Sequence, residues 1–489
     1  MGGVKVSCIL ERLLLAISMA LCGPAISWAA DGAAQDANSP PPLPTYLRRL
    51  TDWNGQRSRL EQAGLKFTFT YYGDAFANPV GGVKQGLGYF GRFGTIIDGD
   101  LEKLVGWSGA TFHASIHQIH ETDFDVRNLD NLMTVSGIGI GYPVSTRLFN
   151  LWIEQNLPNQ INVRIGQFSA AQEFLVSQNA NLFVNSTFGW PVLNAQDLPS
   201  GGPAYPEATP GARVQFTPND HLTVRAAVFD GDPAGPGNGS PVQRDPFGSA
   251  FRVNDPPFVI AELAYAYGQN QTGPGGGNPN QEGYSLVNVA PRVPASDLPG
   301  TVKIGVWLHT GSFSDELLNA QGGLLSVSGG PPLEHGGNYA VYGVVDQMLW
   351  RPAGNGDHGL SLFVRGTAAP RDRNLIDAYA DAGLTFKGPL SFRPDDTIGL
   401  AFAFARISPQ AAASDAATIA VTGQPMPIRD FESAIELTYQ WKLSENWFIQ
   451  PDLQYIIHPG GNVPNPLAPA PASAIPNALV VGARMILKF

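Results

Sequence analysis

The sequence predicts an all-β protein, a 16-stranded antiparallel transmembrane β-barrel with an N-terminal leader and a short helix. Three observations predict it. Apolar and polar residues alternate with period two in segments of roughly 8 to 13 residues, long enough to cross a bilayer at a tilt and longer than an ordinary soluble strand. Aromatic residues gather at the ends of the apolar rows, among them Tyr265, Tyr267, Tyr339, Tyr439, Trp441 and Trp447, where a membrane interface places them. The chain also closes on an alternating strand in which Leu479, Val481, Ala483, Met485, Leu487 and the terminal Phe489 share one face. The composition agrees: 43% of the 489 residues are apolar, only 15% are charged, and 56 Gly and 41 Pro interrupt any long helix. That apolar share is too high for disorder. No apolar run beyond the first thirty residues is long enough for a spanning helix.

The elements follow in chain order. Lys5 and Arg12 flank the start of an apolar stretch, Leu13 to Ile26, and Ser27-Trp28-Ala29 fits a small-x-small cleavage site, so residues 1–29 read as a secretory signal peptide. Cys8 and Cys22 leave with it, and the mature chain would have to draw its stability from size or a hydrogen-bonded lattice rather than from crosslinks. Residues 30–64 read as a periplasmic leader, Pro-rich over 31–44, followed by a short helix capped by Thr51 and stopped at Gly64. Residues 65–489 are the barrel.

Seventeen segments qualify as strands, beginning with 65–72 and 90–101, including 161–168, 258–267 and 376–387, and ending with 478–489. Single-chain barrels have an even number, with both termini in the periplasm. The segment 131–138 (NLMTVSGI) alternates worst, and omitting it leaves sixteen. The connections then sort into short turns, such as 157–160, 218–220 and 443–445, and long outer loops at 168–210, 231–257, 311–337, 407–429 and 458–477. Residues 268–300, rich in Gly, Asn and Pro, are the exception: a long segment on the side of the turns.

Sixteen strands enclose a wet lumen, so the inward side chains carry the function. Alternation turns inward Asp98, Asp100, Glu154, Glu262, Asp346, Asp381, Glu432, Glu436 and Asp452, together with Lys66, Arg92, Arg164, Arg213, Arg225, Lys303, Arg365 and Arg484. Acids and bases nearly balance. A phosphate channel would carry an excess of cations and a cation channel an excess of carboxylates, so balance favours small neutral sugars, whose hydroxyls bond to both. Trp152, Trp190 and Trp307 offer ring faces for sugar C–H groups. Glu154 and Arg164 stand directly opposite if the turn between them centres on Asn159; as a water-facing pair they would either set a transverse field or merely fix register. The long third loop, 169–210, is expected to fold inward and narrow the pore. The pore-lining candidates are therefore Arg92, Asp98, Trp152, Glu154, Arg164, Trp190, Arg213 and Arg225.

Other functions find less support. The net charge of −11 disfavours a nucleic-acid partner. His113, Ser115 and His117 share a strand face, but the two histidines stand about 13 Å apart, too far for one metal or a direct proton relay, and read as wall residues. The chain has no GxSxG or HExxH motif, so neither catalysis nor a cofactor is expected.

The segments DWNGQRSRLEQAGLKFTFTYYGD (52–74), IGQFSAAQEFLVSQNANLFVNSTFGWP (165–191), LPSGGPAYPEATPGARV (198–214) and IQPDLQYIIHPGG (449–461) resemble the carbohydrate-selective porin family of the OprB type, and the similarity runs from about Asp52 to Phe489. The resemblance implies a 16-stranded outer-membrane porin that admits glucose and other small sugars through an eyelet of Arg, acidic and aromatic side chains. Its expected partners are outer-membrane lipid and the barrel assembly machinery, with a homo-oligomer left open. The alternatives are a porin for organic acids or aromatic compounds and, more remotely, a secreted β-sandwich binding module.

Overall fold

The computed structural model describes residues 51–268, 298–352, 358–469 and 473–489. The expected signal peptide, the leader up to residue 50 and most of the 268–300 segment lie outside them. Sixteen strands form one closed antiparallel barrel, each paired with its neighbours in sequence and the last with the first. They are β1 (Leu65–Val80), β2 (Gly86–Asp100), β3 (Ala110–Glu121), β4 (Val144–Leu157), β5 (Ile161–Phe168), β6 (Thr209–Phe216), β7 (Leu222–Phe229) and β8 (Phe258–Tyr267). The second half comprises β9 (Gly300–Asn319), β10 (Pro332–Trp350), β11 (Gly359–Ala368), β12 (Ile376–Lys387), β13 (Thr397–Ile407), β14 (Phe431–Ser444), β15 (Trp447–Ile457) and β16 (Ala478–Lys488).

The alternation becomes two chemically different faces. On β9, Val302, Ile304, Val306 and Leu308 are exposed on the outside while Trp307 and His309 are buried within. A continuous exposed apolar belt of this kind is stable only against lipid. The seam is closed by the chain end: Phe69 and Phe489 exchange both backbone N–H···O bonds at 2.9 Å, and their rings stack at 5.9 Å. Beside the seam lies helix α1 (Gln56–Gln62), which starts later than expected because Gly55 enters it in the left-handed region. Thr51 does not cap the helix; its hydroxyl accepts from Arg57, whose Nε and Nη2 also bond the Phe67 carbonyl.

Two local departures matter for the interior. In β4 the pairing with β3 jumps from Ser115↔Asn150 to Ile116↔Leu148, a bulge that leaves Phe149 opposite no residue. Simple alternation puts Phe149 on the lipid face with Leu151 and Ile153; the bulge turns it inward instead, against His117 at 4.9 Å. Asp100, expected on the lumen wall, sits at the rim and caps α2 (Leu101–Val105) by accepting from the Lys103 N–H.

The largest difference from expectation is in the lumen itself. Two loops on the rim opposite the termini fold inside: L2 (residues 122–143, between β3 and β4) and L3 (residues 169–208, between β5 and β6). Phe174, Leu175, Phe183, Val184, Phe188 and Leu193 of L3 join wall residues such as Phe229, Phe258, Trp307 and Phe363 in one buried cluster with Met133, Val135 and Ile138 of L2. The segment 131–138 is thus no strand, as its poor alternation indicated. Its apolar residues are covered by L3 and the wall rather than by lipid. The wet lumen of a bare 16-strand barrel is in large part a packed core here, since forty residues of apolar-rich loop cannot stay exposed without cost.

Candidate functional site

The site is built on the β4–β5 hairpin. Asn159 and Gln160 take positive φ in its tight turn, and the register this sets places Glu154 opposite Arg164. The next strand places Arg213 opposite Arg164. Two cations facing each other across strands repel, and two carboxylates resolve it. Arg164 Nε and Nη2 donate to Glu154 Oε2 at 3.0 and 2.7 Å, and Arg213 Nη2 donates to the same oxygen at 2.7 Å. From L3, Glu173 closes the other side, paired with Arg164 Nη1 and lying 3.3 Å from Arg213 Nε. Each arginine bridges both glutamates, so the four groups form a closed ring. Burial alone would push the Glu173 carboxyl up, but Arg164, Arg213 and Arg225 outweigh it and hold it at about 2. Glu173 is therefore the anionic end of L3 stapled to the wall.

Arg225 extends the ring to β8. It donates to Gln215 at 2.7 Å and to the Glu173 carbonyl at 3.1 Å, lies 3.8 Å from Glu262, and keeps 27% of its side chain exposed. Trp152 lies beneath Arg164, whose guanidinium stands 3.8 Å from the ring centre. Asp98 bonds His113 at 2.8 Å. Arg92 stands apart from the ring, over Tyr72 at 4.4 Å and Tyr205 of L3 at 5.4 Å. Trp190 is also apart, within L3, where its Nε1 donates to the Gly201 carbonyl.

Three expectations are corrected by this geometry. Glu154 and Arg164 are each 2% exposed, so the pair does not face open water; Glu173 and L3 cover it. Trp152 offers no free face to a sugar, because its ring is stacked by His113 on one strand and Arg164 on another. Trp307 is buried under L3, with its Nε1 bonded to Asn194 of helix α3 (Val192–Asp197).

Most of the other inward charges hold loops in place. Asp346 accepts from the Ser177 hydroxyl and the Gln178 and Asn179 N–H groups, and Glu436 from Val184 and Asn185. Glu262 accepts from Leu175, and Arg365, paired with Asp381, donates to the carbonyls of Leu175 and Thr187. Glu432 takes the N–H groups of Leu132, Met133 and Gly460, and Asp74, paired with Arg484, takes the Ser136 hydroxyl. At Gly399 a side chain would come within 2.6 Å of Leu182, so that wall position is left bare for the loop. From the sequence the charged residues among these, Asp74 apart, read as wall charges. Their partners are loop backbone groups up to 300 positions away, and no local pattern announces them.

The chain matches the sequence profile of the family described as "Carbohydrate-selective porin, OprB family" over residues 84–489. The chain belongs to that family. It is an outer-membrane channel protein, not an enzyme. This porin is similar to Porin B of Pseudomonas aeruginosa, with 24% identity over 473 residues covering 90% of this chain and 91% of the other. Its fold is that of the high-pH structure of Pseudomonas putida OprB, with a TM-score of 0.75, 23% identity, and 90% and 97% of the two chains covered.

Proposed function

We propose that this porin is a passive diffusion channel for small neutral sugars such as glucose, with its narrow zone between L3 and the wall of β2 to β8. Arg92, Asp98, Glu154, Arg164, Arg213 and Arg225 line or underlie that zone, and Tyr205 and Trp190 of L3 border it. The closed ring carries this reading. Two arginines neutralised by two glutamates leave no net well for an ion, yet keep a polar, preorganised surface with the partly exposed Arg225 beside it. Sugar hydroxyls can donate and accept there, and each such bond, made in competition with water, contributes only about 1 kcal/mol. Weak binding of this kind lets a solute enter and leave. A channel for organic acids would call for uncompensated Arg and Lys, which the ring does not provide.

Liposome swelling tests the proposal. Vesicles holding the purified porin should swell faster in glucose than in neutral amino acids of equal size; equal rates would make it a general pore, and faster swelling in carboxylates would favour the organic-acid reading.

A further inference from the structure

One row on the wall is not explained by the ring. Asp98, His113, Trp152 and Gly166 stand opposite one another on β2, β3, β4 and β5. Asp98 holds His113 Nδ1 at 2.8 Å. The imidazole lies nearly parallel to the Trp152 indole, 4.8 Å between centroids and 13° between planes. From the β5 side the Arg164 guanidinium lies 3.8 Å from the centre of the same indole. The row continues past Trp152 as Gly166, where a Cβ would come within 2.9 Å of Trp152 Cβ and 2.3 Å of the Leu151 carbonyl.

The indole is buried, and among the described residues its Nε1 has no hydrogen-bond partner, as is also true of His113 Nε2. Polar atoms therefore do not orient Trp152. Stacking does: His113, itself bonded to Asp98, lies against the indole, and Arg164 of the ring lies over it as well. Arg164 in turn needs a defined plane, because its three nitrogens reach Glu154 on one side and Glu173 on the other. Glu173 ties the start of L3 to β5 and β6.

We propose that His113 is a positioning residue for the constriction. Its flat ring, nearly parallel to the indole, holds Trp152 in place; Trp152 sets the plane of Arg164; and Arg164, through Glu173, sets where L3 stands in the pore. His113 touches no solute in this scheme. The inference rests on the proposed constriction, but the position of L3 can be read without any sugar.

The test uses the full-length porin and its His113→Ala and His113→Phe variants in planar bilayers. Single-channel conductance, open-channel current noise and glucose block of ion current are measured for each. His113→Ala leaves a gap beside the indole, so the expected result is a broader conductance distribution, more noise and glucose block weakened about tenfold, the size of one desolvated cation–π contact. His113→Phe restores a flat ring without ring nitrogens and should recover wild-type values on all three, which a general loss of stability would not do. The Phe variant also keeps the test open if the Ala variant fails to fold, since Phe with disturbed conductance and normal heat-modifiable migration would overturn the stacking role. Wild-type conductance and noise in His113→Ala would overturn the proposal outright. Should glucose fail to block the wild-type channel, the sugar reading falls, while conductance and noise still decide the role of His113.

Discussion

Arg164 and Glu154 show how burial changes what a residue does. An exposed wall pair would contribute well under 1 kcal/mol, whereas removing one partner of a buried pair costs about 3 kcal/mol or more because the other charge is left uncompensated. Arg164→Ala should make the channel more cation-selective and loosen the start of L3, since Glu173 would lose its pair with Arg164 and Glu154 its two bonds from it. Glu154→Gln should shift selectivity toward anions while keeping the shape. Reversal potentials in a salt gradient check both signs, and no movement in either would place the narrow zone elsewhere, with Arg92 and Asp98 next. Glu173 adds a pH dependence. Its folded pKa, about 2, lies below the ordinary carboxylate value, so the stability it contributes is present above the unfolded pKa, near 4.5, and is lost as pH falls toward 2. The staple should hold through mildly acidic conditions. Open-channel noise recorded from pH 7 down to 3 should rise only at the acid end in the wild type, and should be high throughout in Glu173→Gln.

At the scale of elements, strands and loops obey different rules. The strands were legible: β5, β8 and β12 run over the residues the alternation predicts, because a period of two is a local property and lipid outside demands it of every strand. Even the Glu154↔Arg164 register follows from the turn at Asn159. The loops were legible only in length. L2 holds the weakest strand candidate, 131–138, because its apolar residues satisfy a buried environment without any period. The last strand yields a prediction of its own. Phe489 contributes two backbone bonds and a ring to the seam, and deleting it should lower the folded fraction in the membrane, seen as loss of the heat-modifiable band on unboiled gels. Unchanged assembly would show the terminal aromatic to be incidental.

For the whole molecule, closure puts the described ends of the chain, Thr51 and Phe489, at one rim and L2 and L3 at the other. An even strand count puts both termini on one side of the membrane; if that side is the periplasm, as in single-chain bacterial barrels, the loop 230–257 and the loop holding helix α4 (Pro409–Thr422) face outward. Epitope tags at Gly239 and at Gly423, the left-handed residue that ends α4, should be reachable by antibody on intact cells. Labelling only after the outer membrane is permeabilised would reverse the orientation.

By itself, the sequence determined the barrel, its sixteen strands, most of the inward charges and the family, since each rests on local periodicity or on contiguous motifs. Only the tertiary structure decided what those charges do. Whether Glu436 faces water or the N–H of Val184, and whether Trp152 is a sugar platform or a spacer between His113 and Arg164, depends on which distant segment occupies the lumen. That occupancy is a matter of packing between residues tens to hundreds of positions apart, where loop backbone supplies the partners. Backbone groups are the same at every position and leave no trace in the sequence, so the constriction emerges only once the barrel has closed around its loops.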